Sequence, residues 1–352
     1  MNTVFVSHPS NMLERYFGDK ALVGLRALAQ VKLNAECREL TTEELATEAR
    51  GCDVIIAYRQ TPAPRSLFAA LPELAALVRC AVDIRTIDVG AASEHGVLIT
   101  QASAGFVPSV SEWVIGVILA MARDINSYAS AYHRGTPLQP VMGRQLRGAT
   151  LGVIGYGQIS RYLCNAACAL GMRVVVTDPY TEVEQPTLHQ VPLPTLLATS
   201  DFVVCLAPAT AETASLMNAQ MFASMNPGAY FINASRGELV DEAALLAALD
   251  SGHLAGCALD VGSEPDQMPS LALARHPKVI ATPHIGGLTP EAIEHQALQT
   301  VSQVEAILRG EIPEGAVNTA HASRLDRFAR AGAAGTGHGG NANPPSFISD
   351  SN

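Results

Sequence analysis

The sequence predicts an α/β protein of two domains, and three observations lead to this prediction. Its 352 residues exceed the ~150 residues of one typical domain. Short runs rich in Val, Ile and Leu alternate with amphipathic stretches, as strands and helices alternate around a parallel sheet. After residue 150 these runs are almost continuously apolar, which favours a sheet covered by helices on both faces.

In the first part of the chain, four apolar runs predict strands. They are TVFVS (3–7), DVIIAY (53–58), LVRCAV (77–82) and GVLIT (96–100). One long helix is predicted to follow, from about residue 108 to 127, because Pro108 and Ser109 are good first-turn residues. This part is therefore expected to be an α/β layer.

Six further runs predict the strands of a doubly wound domain. They are TLGVIG (150–155), RVVVTD (173–178), FVVCLAP (202–208), AYFINA (229–234), GCALDV (256–261) and KVIATP (278–283). Helices are predicted between them, including 241–252 with an acidic start and a Gly stop, and a last one at about 290–309. The Gly-, Asn- and Ser-rich tail at 330–352 is expected to be disordered.

Composition and charge exclude several classes of protein. The net charge of −10 argues against a nucleic-acid partner, which needs clustered Lys and Arg. No signal-peptide pattern opens the chain, and no apolar run reaches the ~20 residues of a membrane span. Seven cysteines without a CxxC pair suggest free thiols and no metal site. We therefore expect a cytoplasmic protein with no membrane and no nucleic-acid partner.

The run GVIGYGQIS predicts a dinucleotide site. Gly155, Gly157 and Ser160 stand at the G-x-G-x-x-G positions, between a predicted strand and a predicted helix. The first glycine allows a tight turn, and the second lets the backbone approach a pyrophosphate at the helix N-terminus. Asp178 ends the next strand, where a carboxylate accepts hydrogen bonds from ribose hydroxyls and repels a 2′-phosphate. With no Lys or Arg from residue 179 to 190, NAD is predicted rather than NADP.

Three chemically suited side chains follow later strands at the same predicted sheet edge. Histidine at His284 suits proton transfer in both directions near neutral pH. Glu264 is expected to hold the other ring nitrogen and stabilise the imidazolium. Arg236 is expected to bind a substrate carboxylate and polarise the adjacent carbonyl. Together they predict a small 2-hydroxy acid or 2-keto acid as substrate.

The motifs LGVIGYGQIS, INASRGELVDEAALLAAL, GCALDV with its following EP, and TPHIGGLTPEA resemble the D-isomer-specific 2-hydroxyacid dehydrogenases, the family that includes phosphoglycerate dehydrogenases. The resemblance covers about residues 50 to 318. It implies Arg236, Glu264 and His284 as catalytic residues, an NAD cofactor, an active site between two domains, and a homodimer. Asp260 would hold the nicotinamide amide, and Gly286 and Gly287 would let backbone pass close to the nicotinamide. The expected cofactor contacts are Gly155, Gly157, Gln158, Ile159, Asp178, Pro208, Thr213, Ala234, Ser235, Asp260 and Gly287.

The implied architecture is a Rossmann-type doubly wound parallel sheet domain plus a smaller flavodoxin-like α/β substrate domain. The NAD-binding domain would span 104–287. The substrate domain would be discontinuous, with 1–103 and 288–322, and the disordered tail would span 323–352.

Two segments depart from the family pattern. DVGSEP is one residue shorter than usual between the Asp and the Glu, which bears on the reach of Glu264. RCAVDIRTID (79–88) replaces a pattern close to G-x-G-x-D-N-I-D, whose backbone N–H groups help to bind the substrate carboxylate. Arg59, Val82 and Asp83, with Arg236, are the expected substrate contacts, and Asp83 would repel a second anionic group.

Two functions are compatible with these residues. The first is an NAD-dependent dehydrogenase of a small D-2-hydroxy acid. The second is an NAD(H)-sensing binding protein of the same fold, like the corepressors of the family, without turnover. Retention of all three catalytic residue types favours the enzyme.

Overall fold

The computed structural model describes residues 2–328. The chain divides into two compact units, Met1–Gly105 with Ile293–Asn352, and Phe106–Ala292. We call the first the discontinuous domain and the second the central domain. The predicted boundaries after residues 103 and 287 both fall earlier than this division. Residues just past the second predicted boundary contact the central domain, since the hydroxyl groups of Thr289 and Ser109 are 2.8 Å apart.

Five parallel strands form the sheet of the discontinuous domain: β1 (Thr3–Val6), β2 (Gln30–Leu33), β3 (Val54–Ala57), β4 (Ala76–Arg79) and β5 (Leu98–Gln101). Their order, β2-β1-β3-β4-β5, is the flavodoxin-like one that was predicted. β2 was not predicted, because this edge strand has exposed or half-buried side chains and lacks an apolar run.

Helices accompany this sheet and help to bury both of its faces. In chain order they are α1 (Leu13–Tyr16), α2 (Asp19–Leu28), α3 (Thr42–Glu48), α4 (Arg65–Ala70) and α5 (Val89–Glu94). Successive strand residues point to opposite faces. Val4 and Val6 accordingly belong to one buried cluster, and Phe5 between them belongs to the other.

Seven parallel strands form the sheet of the central domain: β6 (Thr150–Ile154), β7 (Arg173–Thr177), β8 (Leu188–Gln190), β9 (Phe202–Cys205), β10 (Tyr230–Asn233), β11 (Gly256–Leu259) and β12 (Val279–Ala281). The strand order is β12-β11-β10-β9-β6-β7-β8. The chain adds strands first on one side of β6 and then on the other, as in a Rossmann-type doubly wound sheet. The predicted fold class is therefore confirmed. The short edge strand β8 was missed, since only Leu188 in it is buried.

The helices of the central domain are α6 (Val107–Ala122), α7 (Ile125–His133), α8 (Gln158–Ala169), α9 (Leu193–Thr199), α10 (Ala219–Ala223), α11 (Glu242–Asp250) and α12 (Leu271–Ala274). The single helix predicted over 108–127 is wrong. Asp124 adopts φ +50° between α6 and α7, and a left-handed residue interrupts a right-handed helix. The predicted helix at 241–252 corresponds to α11, whose N-cap Asp241 accepts a hydrogen bond from the Ala244 amide.

The last long helix, α13 (Pro290–Leu308), matches the predicted helix at 290–309. Beyond it, the predicted tail was expected to start at residue 323, and this start is wrong. Residues Ser323–Leu325 form a 3-10 helix, and Leu325 and Phe328 are buried in the core of the discontinuous domain. The guanidinium of Arg324 also donates to the carbonyls of Leu71 and Leu74, each at 2.8 Å. The rest of the predicted tail lies outside the described residues.

Several classes of site are not found between residues 2 and 328. No helix there has the length and apolarity to cross a membrane. That part of the chain also holds no group of three or more His, Cys, Asp or Glu arranged to bind a metal ion. All seven cysteines lie within it, and each is a free thiol.

Candidate active site

The turn after β6 needs glycine at one position and leaves open space at another. Gly155 has φ +91°, and a Cβ there would lie 2.9 Å from main-chain atoms of Ala207. A Cβ on Gly157 would meet nothing within 4 Å. Gly157 is the N-cap of α8, and as a glycine it offers no side chain to cap the first N–H groups of the helix. A pyrophosphate fits this place, because the first N–H groups of a helix are unbonded and attract an anion.

The first residues of α8 include the predicted contacts Gln158 and Ile159. Gln158 is exposed and Ile159 is half-buried. The Ile159 carbonyl accepts a hydrogen bond from the Ser111 hydroxyl at 3.1 Å, which ties α8 to α6. Ser160, in place of the third glycine, is buried, and its hydroxyl has no hydrogen-bond partner among the described residues. Packing alone therefore accommodates this substitution.

A cleft of about 930 Å³ lies along the same turn. It contains four of the predicted cofactor contacts, namely Gly155, Asp178, Pro208 and Thr213. Two further lining residues, Tyr180 and Glu212, were not singled out from the sequence. The predicted contacts Ala234, Ser235, Asp260 and Gly287 follow β10, β11 and β12, further along the same sheet edge.

Asp178 is held by the main chain around it. Its Oδ2 accepts from the Tyr156 amide at 2.7 Å, and its Oδ1 accepts from the amides of Tyr180 and Thr181 at 2.8 and 2.9 Å. Partial burial acts to raise the pKa of Asp178, but these hydrogen bonds outweigh it and the net pKa is lowered. Asp178 therefore carries its negative charge at neutral pH.

The turn after β10 contains Ala234 and Ser235. The Ser235 hydroxyl donates to the Ala207 carbonyl at 2.6 Å, and the Ser235 amide donates to Oδ1 of Asn233 at 3.1 Å. The Ser235 carbonyl accepts from Nη1 of Arg236 at 2.8 Å. The turn is thus fixed to the segment after β9, and the Arg236 side chain starts from a fixed main chain.

The carboxylate of Asp260 is buried and organises the loop that carries His284. Its Oδ1 accepts from the Thr282 hydroxyl at 2.6 Å and the Ile285 amide at 2.8 Å, and its Oδ2 accepts from the Gly286 amide at 2.7 Å. A carboxylate offers about four acceptor positions. At most one therefore remains for the nicotinamide amide that Asp260 is expected to bind.

Packing inside the central domain explains the two glycines after His284. A Cβ on Gly286 would lie 2.8 Å from Oδ2 of Asp260, and a Cβ on Gly287 would lie 3.1 Å from Cβ of Phe106. The sequence interpretation attributed both glycines to a close approach of the nicotinamide. The structure gives each of them a protein neighbour that a Cβ would crowd, and the approach of the nicotinamide stays a prediction.

His284 is half-buried, with φ +53°, a left-handed conformation that is uncommon for non-glycine residues. Its Nδ1 lies 3.0 Å from the main-chain carbonyl oxygen of Asp266. A carbonyl only accepts hydrogen bonds, so Nδ1 carries the hydrogen and Nε2 of the neutral ring has the lone pair. Nε2 is therefore the atom that can take a proton from a ligand.

The structure corrects the predicted partner of His284. Glu264 is exposed, and its side chain makes no hydrogen bond or ion pair with the residues of 2–328. The shortened connection after β11 turns at once into a 3-10 helix, Pro265–Gln267, with Glu264 as its N-cap. This turn brings the main chain of Asp266, rather than the Glu264 carboxylate, to the imidazole.

Segment 264–268 contacts the loops of both Arg236 and His284. The Gly237 amide, next to Arg236, donates to Oε1 of Gln267 at 2.9 Å. Asp266 and Gln267 have φ of +57° and +61°, two adjacent left-handed residues. Backbone strain of this kind collects at functional sites. The structure thus brings Arg236 and His284 to one strained segment, which the sequence analysis did not single out.

The expected substrate contacts of the discontinuous domain follow the neighbouring strands β3 and β4. Arg59 is half-buried, with its guanidinium 5.8 Å from the centre of the Tyr16 ring. Val82 is half-buried. The carboxylate of Asp83 forms a bidentate pair with Arg85, whose Nε donates to Oδ1 at 3.2 Å and whose Nη2 donates to Oδ2 at 2.8 Å. The expected repulsion of a second anionic group by Asp83 is therefore reduced.

Two buried cationic-type side chains in the same domain were missed. Arg79 is fully buried and donates to the carbonyls of Tyr58 and Thr61 and to the Thr86 hydroxyl. Burial lowers the pKa of Arg79 to about 10, so it stays charged at neutral pH. His8 is also buried, and desolvation lowers the pKa of His8 to about 3. Arg79 thus fixes the loops after β3 and β4, and His8 is neutral.

Comparison with known proteins decides the family. Residues 115–286 match the family model described as the NAD-binding domain of D-isomer specific 2-hydroxyacid dehydrogenases. The chain is also 33% identical over 302 residues to the (S)-sulfolactate dehydrogenase of Chromohalobacter salexigens, with 84% of this chain and 97% of that protein covered. This chain belongs to the D-isomer specific 2-hydroxyacid dehydrogenase family. NAD is its cofactor, as predicted.

Other members of the 2-hydroxyacid dehydrogenase family are similar over most of this chain. It is 35% identical over 291 residues to D-3-phosphoglycerate dehydrogenase 3, chloroplastic, of Arabidopsis thaliana, covering 81% of this chain. This chain spans about half the length (50%) of that relative. A crystal structure of a protein from Polaromonas sp. JS6 66 shares the fold, with a TM-score of 0.82 and 24% identity over 90% of this chain and 99% of that one.

Proposed function

We propose that this chain is an NAD-dependent oxidoreductase that interconverts a small D-2-hydroxy acid and its 2-keto acid. The observation that carries the proposal is the geometry of His284. Its Nδ1 is bonded to a main-chain carbonyl, which leaves Nε2 to exchange a proton with the substrate hydroxyl. His284 follows β12 at the sheet edge that also holds the glycine turn of the NAD site.

When bound, NAD supplies the hydride acceptor or donor at the substrate carbon. The protein's share of the reaction is proton transfer and charge stabilisation. In the direction of oxidation, Nε2 of His284 removes the hydroxyl proton, and the Asp266 carbonyl stabilises the imidazolium through Nδ1–H. Arg236 binds the substrate carboxylate and polarises the adjacent oxygen.

The substrate class follows from Arg236 and His284, and the particular acid is open. Phosphoglycerate and sulfolactate, in the names of two relatives, are acids with a second anionic group. The pairing of Asp83 with Arg85 weakens the sequence-based argument against such an acid. Arg59, Val82 and Asp83 remain the proposed substrate contacts of the discontinuous domain.

An NAD(H)-sensing binding protein without turnover is the second candidate. One observation favours it: the Glu264 carboxylate does not contact the imidazole of His284 within residues 2–328. A sensor would keep the cofactor cleft and lose the rate of proton transfer. The two candidates differ in turnover and agree in cofactor binding.

The deciding experiment is an NADH-oxidation assay over 2-keto acids with and without a second anionic group, on the wild type and on His284→Ala. We expect turnover of at least one acid, a loss of about 10²- to 10⁴-fold in kcat in the variant, and NADH affinity within about threefold of wild type. A fully active variant would exclude His284 as the acid and base. NADH binding without turnover of any acid would favour the sensor.

We also propose that a second copy of this chain is its partner, as the family resemblance implied. Exposed apolar side chains in the last turn of α7 and in the segment after it support this proposal. Tyr132, Val141 and Met142 are 69, 79 and 98% exposed. Such a surface is typical of a protein interface.

The seven free thiols suit the proposed cytoplasmic location.

A further inference from the structure

The cofactor cleft has two carboxylates and no cationic side chain among its lining residues. Asp178 and Glu212 are the only charged residues that line it in the described chain. Asp178 follows β7, and Glu212 lies in the segment after β9. Because β7 and β9 flank β6 in the sheet, these two carboxylates lie on either side of the glycine turn.

Asp178 has little capacity left for a ribose. Three main-chain amides already occupy its oxygens, two on Oδ1 and one on Oδ2. About four acceptor positions exist on a carboxylate, so at most one remains. The ribose of an adenosine has two hydroxyl donors. One of them therefore needs an acceptor other than Asp178.

Glu212 has that capacity and is held in place. Its Oε2 accepts from the Tyr180 hydroxyl at 2.9 Å, a contact that joins the segments after β7 and β9 across the end of β6. The hydrogen bond to Glu212 raises the pKa of Tyr180, so the hydroxyl stays protonated. Oε1 of Glu212 receives no hydrogen bond from residues 2–328. The side chain is thus oriented with one oxygen open.

We propose that Glu212 is a specificity-determining residue of the cofactor cleft, which supplies the second acceptor for the adenosine ribose and disfavours a 2′-phosphate. Tyr180 is its positioning residue. Glu212 is exposed, and solvent screens its charge, so its effect on a phosphate is a few-fold rather than absolute. Asp178 and Glu212 together would then set the preference for NAD over NADP.

The test measures binding rather than turnover, with the full chain and two ligands, ADP-ribose and 2′-phospho-ADP-ribose, by titration calorimetry. Glu212→Ala loses the acceptor, and we expect ADP-ribose to bind about tenfold more weakly. Glu212→Gln keeps an acceptor oxygen and loses the charge. We expect it to bind ADP-ribose within about threefold of wild type and 2′-phospho-ADP-ribose about three- to tenfold more tightly.

Glu182→Gln is the matched control, since Glu182 is an exposed carboxylate in the segment of Tyr180 and does not line the cleft. It is expected to change neither affinity.

Tyr180→Phe releases Glu212 and should weaken ADP-ribose binding less than Glu212→Ala does. Wild-type affinity of Glu212→Ala for ADP-ribose would overturn the acceptor role. The ratio of the affinity for 2′-phospho-ADP-ribose to the affinity for ADP-ribose decides the charge role. If this ratio is the same in Glu212→Gln as in Glu182→Gln, the charge role is overturned. Melting curves of each variant confirm that the fold is intact.

Discussion

At the scale of the residue, the Asp260 carboxylate and one main-chain carbonyl orient the proposed catalytic histidine. Asp260 holds the loop with three hydrogen bonds, and the Asp266 carbonyl fixes Nδ1 of His284. The hydrogen bonds of Asp260 and Asp266 both restrain this loop, and they maintain the left-handed φ of His284. The orientation of the imidazole therefore does not need the Glu264 side chain.

This geometry predicts a modest effect for Glu264→Gln. Because the Glu264 carboxylate makes no contact with the imidazole, we expect kcat/KM to fall by less than about tenfold, against about 10²-fold or more for His284→Ala. Steady-state kinetics and the pH profile of kcat/KM check this. A loss in Glu264→Gln as large as that in His284→Ala would assign the orienting role to Glu264.

His8 predicts how stability depends on pH. Burial lowers the pKa of His8 from 6.5 to about 3, so the unfolded chain binds a proton that the native domain refuses between these values. The free energy of unfolding should therefore fall as pH drops below 6.5, by up to about 1.4 kcal/mol per pH unit from this group. Urea titrations at pH values from 7 to 4 should show that the free energy of unfolding depends less steeply on pH in His8→Gln than in the wild type. His321→Gln, an exposed histidine of the same domain, should keep the wild-type slope; equal slopes in both variants would contradict the prediction.

At the scale of the element, apolar pattern predicts central strands and misses edges. The strands β2 and β8 lie at sheet edges, where one or both faces of the strand meet water and the apolar run disappears. The break between α6 and α7 was missed for another reason. Asp is among the residue types that adopt a left-handed φ more often than others, but this preference alone does not predict a helix break at Asp124.

The segment after α13 predicts a stability effect at this scale. Phe328 is 6% exposed and packs with Leu325 in the core of the discontinuous domain. Phe328→Ala should lower the free energy of unfolding by about 3 kcal/mol, through lost burial and the cavity left behind. Ile312→Ala, at a side chain 53% exposed, should lower it by less than about 1 kcal/mol. Chemical denaturation of the two variants compares them, and equal stabilities would show that Phe328 is not part of the core.

At the scale of the whole molecule, the exposed stretch after α7 predicts self-association. Two lysines at Val141 and Met142 would place charges in an apolar interface, so Val141→Lys with Met142→Lys should shift a dimer toward monomer by tenfold or more in Kd. Sedimentation velocity over a range of concentrations measures this. Val23→Lys, at a position 66% exposed in the discontinuous domain, should not alter the sedimentation of the protein. A double variant that sediments like the wild type would place the interface elsewhere.

The sequence by itself determined the fold class, the NAD cofactor and the candidate residues of the active site. It did so because strand cores are read from continuous apolar runs, and because parallel strands deliver the residues after them to one edge. Arg236, His284 and Asp178 were found in this way. Each lies within three residues of the end of a strand, so its place at the sheet edge follows from the strand itself.

Only the tertiary structure decided which groups pair. The left-handed turn at 266–267 gives His284 a carbonyl partner, and the bidentate contact of Arg85 compensates Asp83. Tyr180 meets Glu212 across β6 although 32 positions separate them in the chain. Loop conformation and long-range contacts depend on dihedral angles and packing that residue types and spacing do not encode locally, and this is why the partners of the site emerged only from the folded chain.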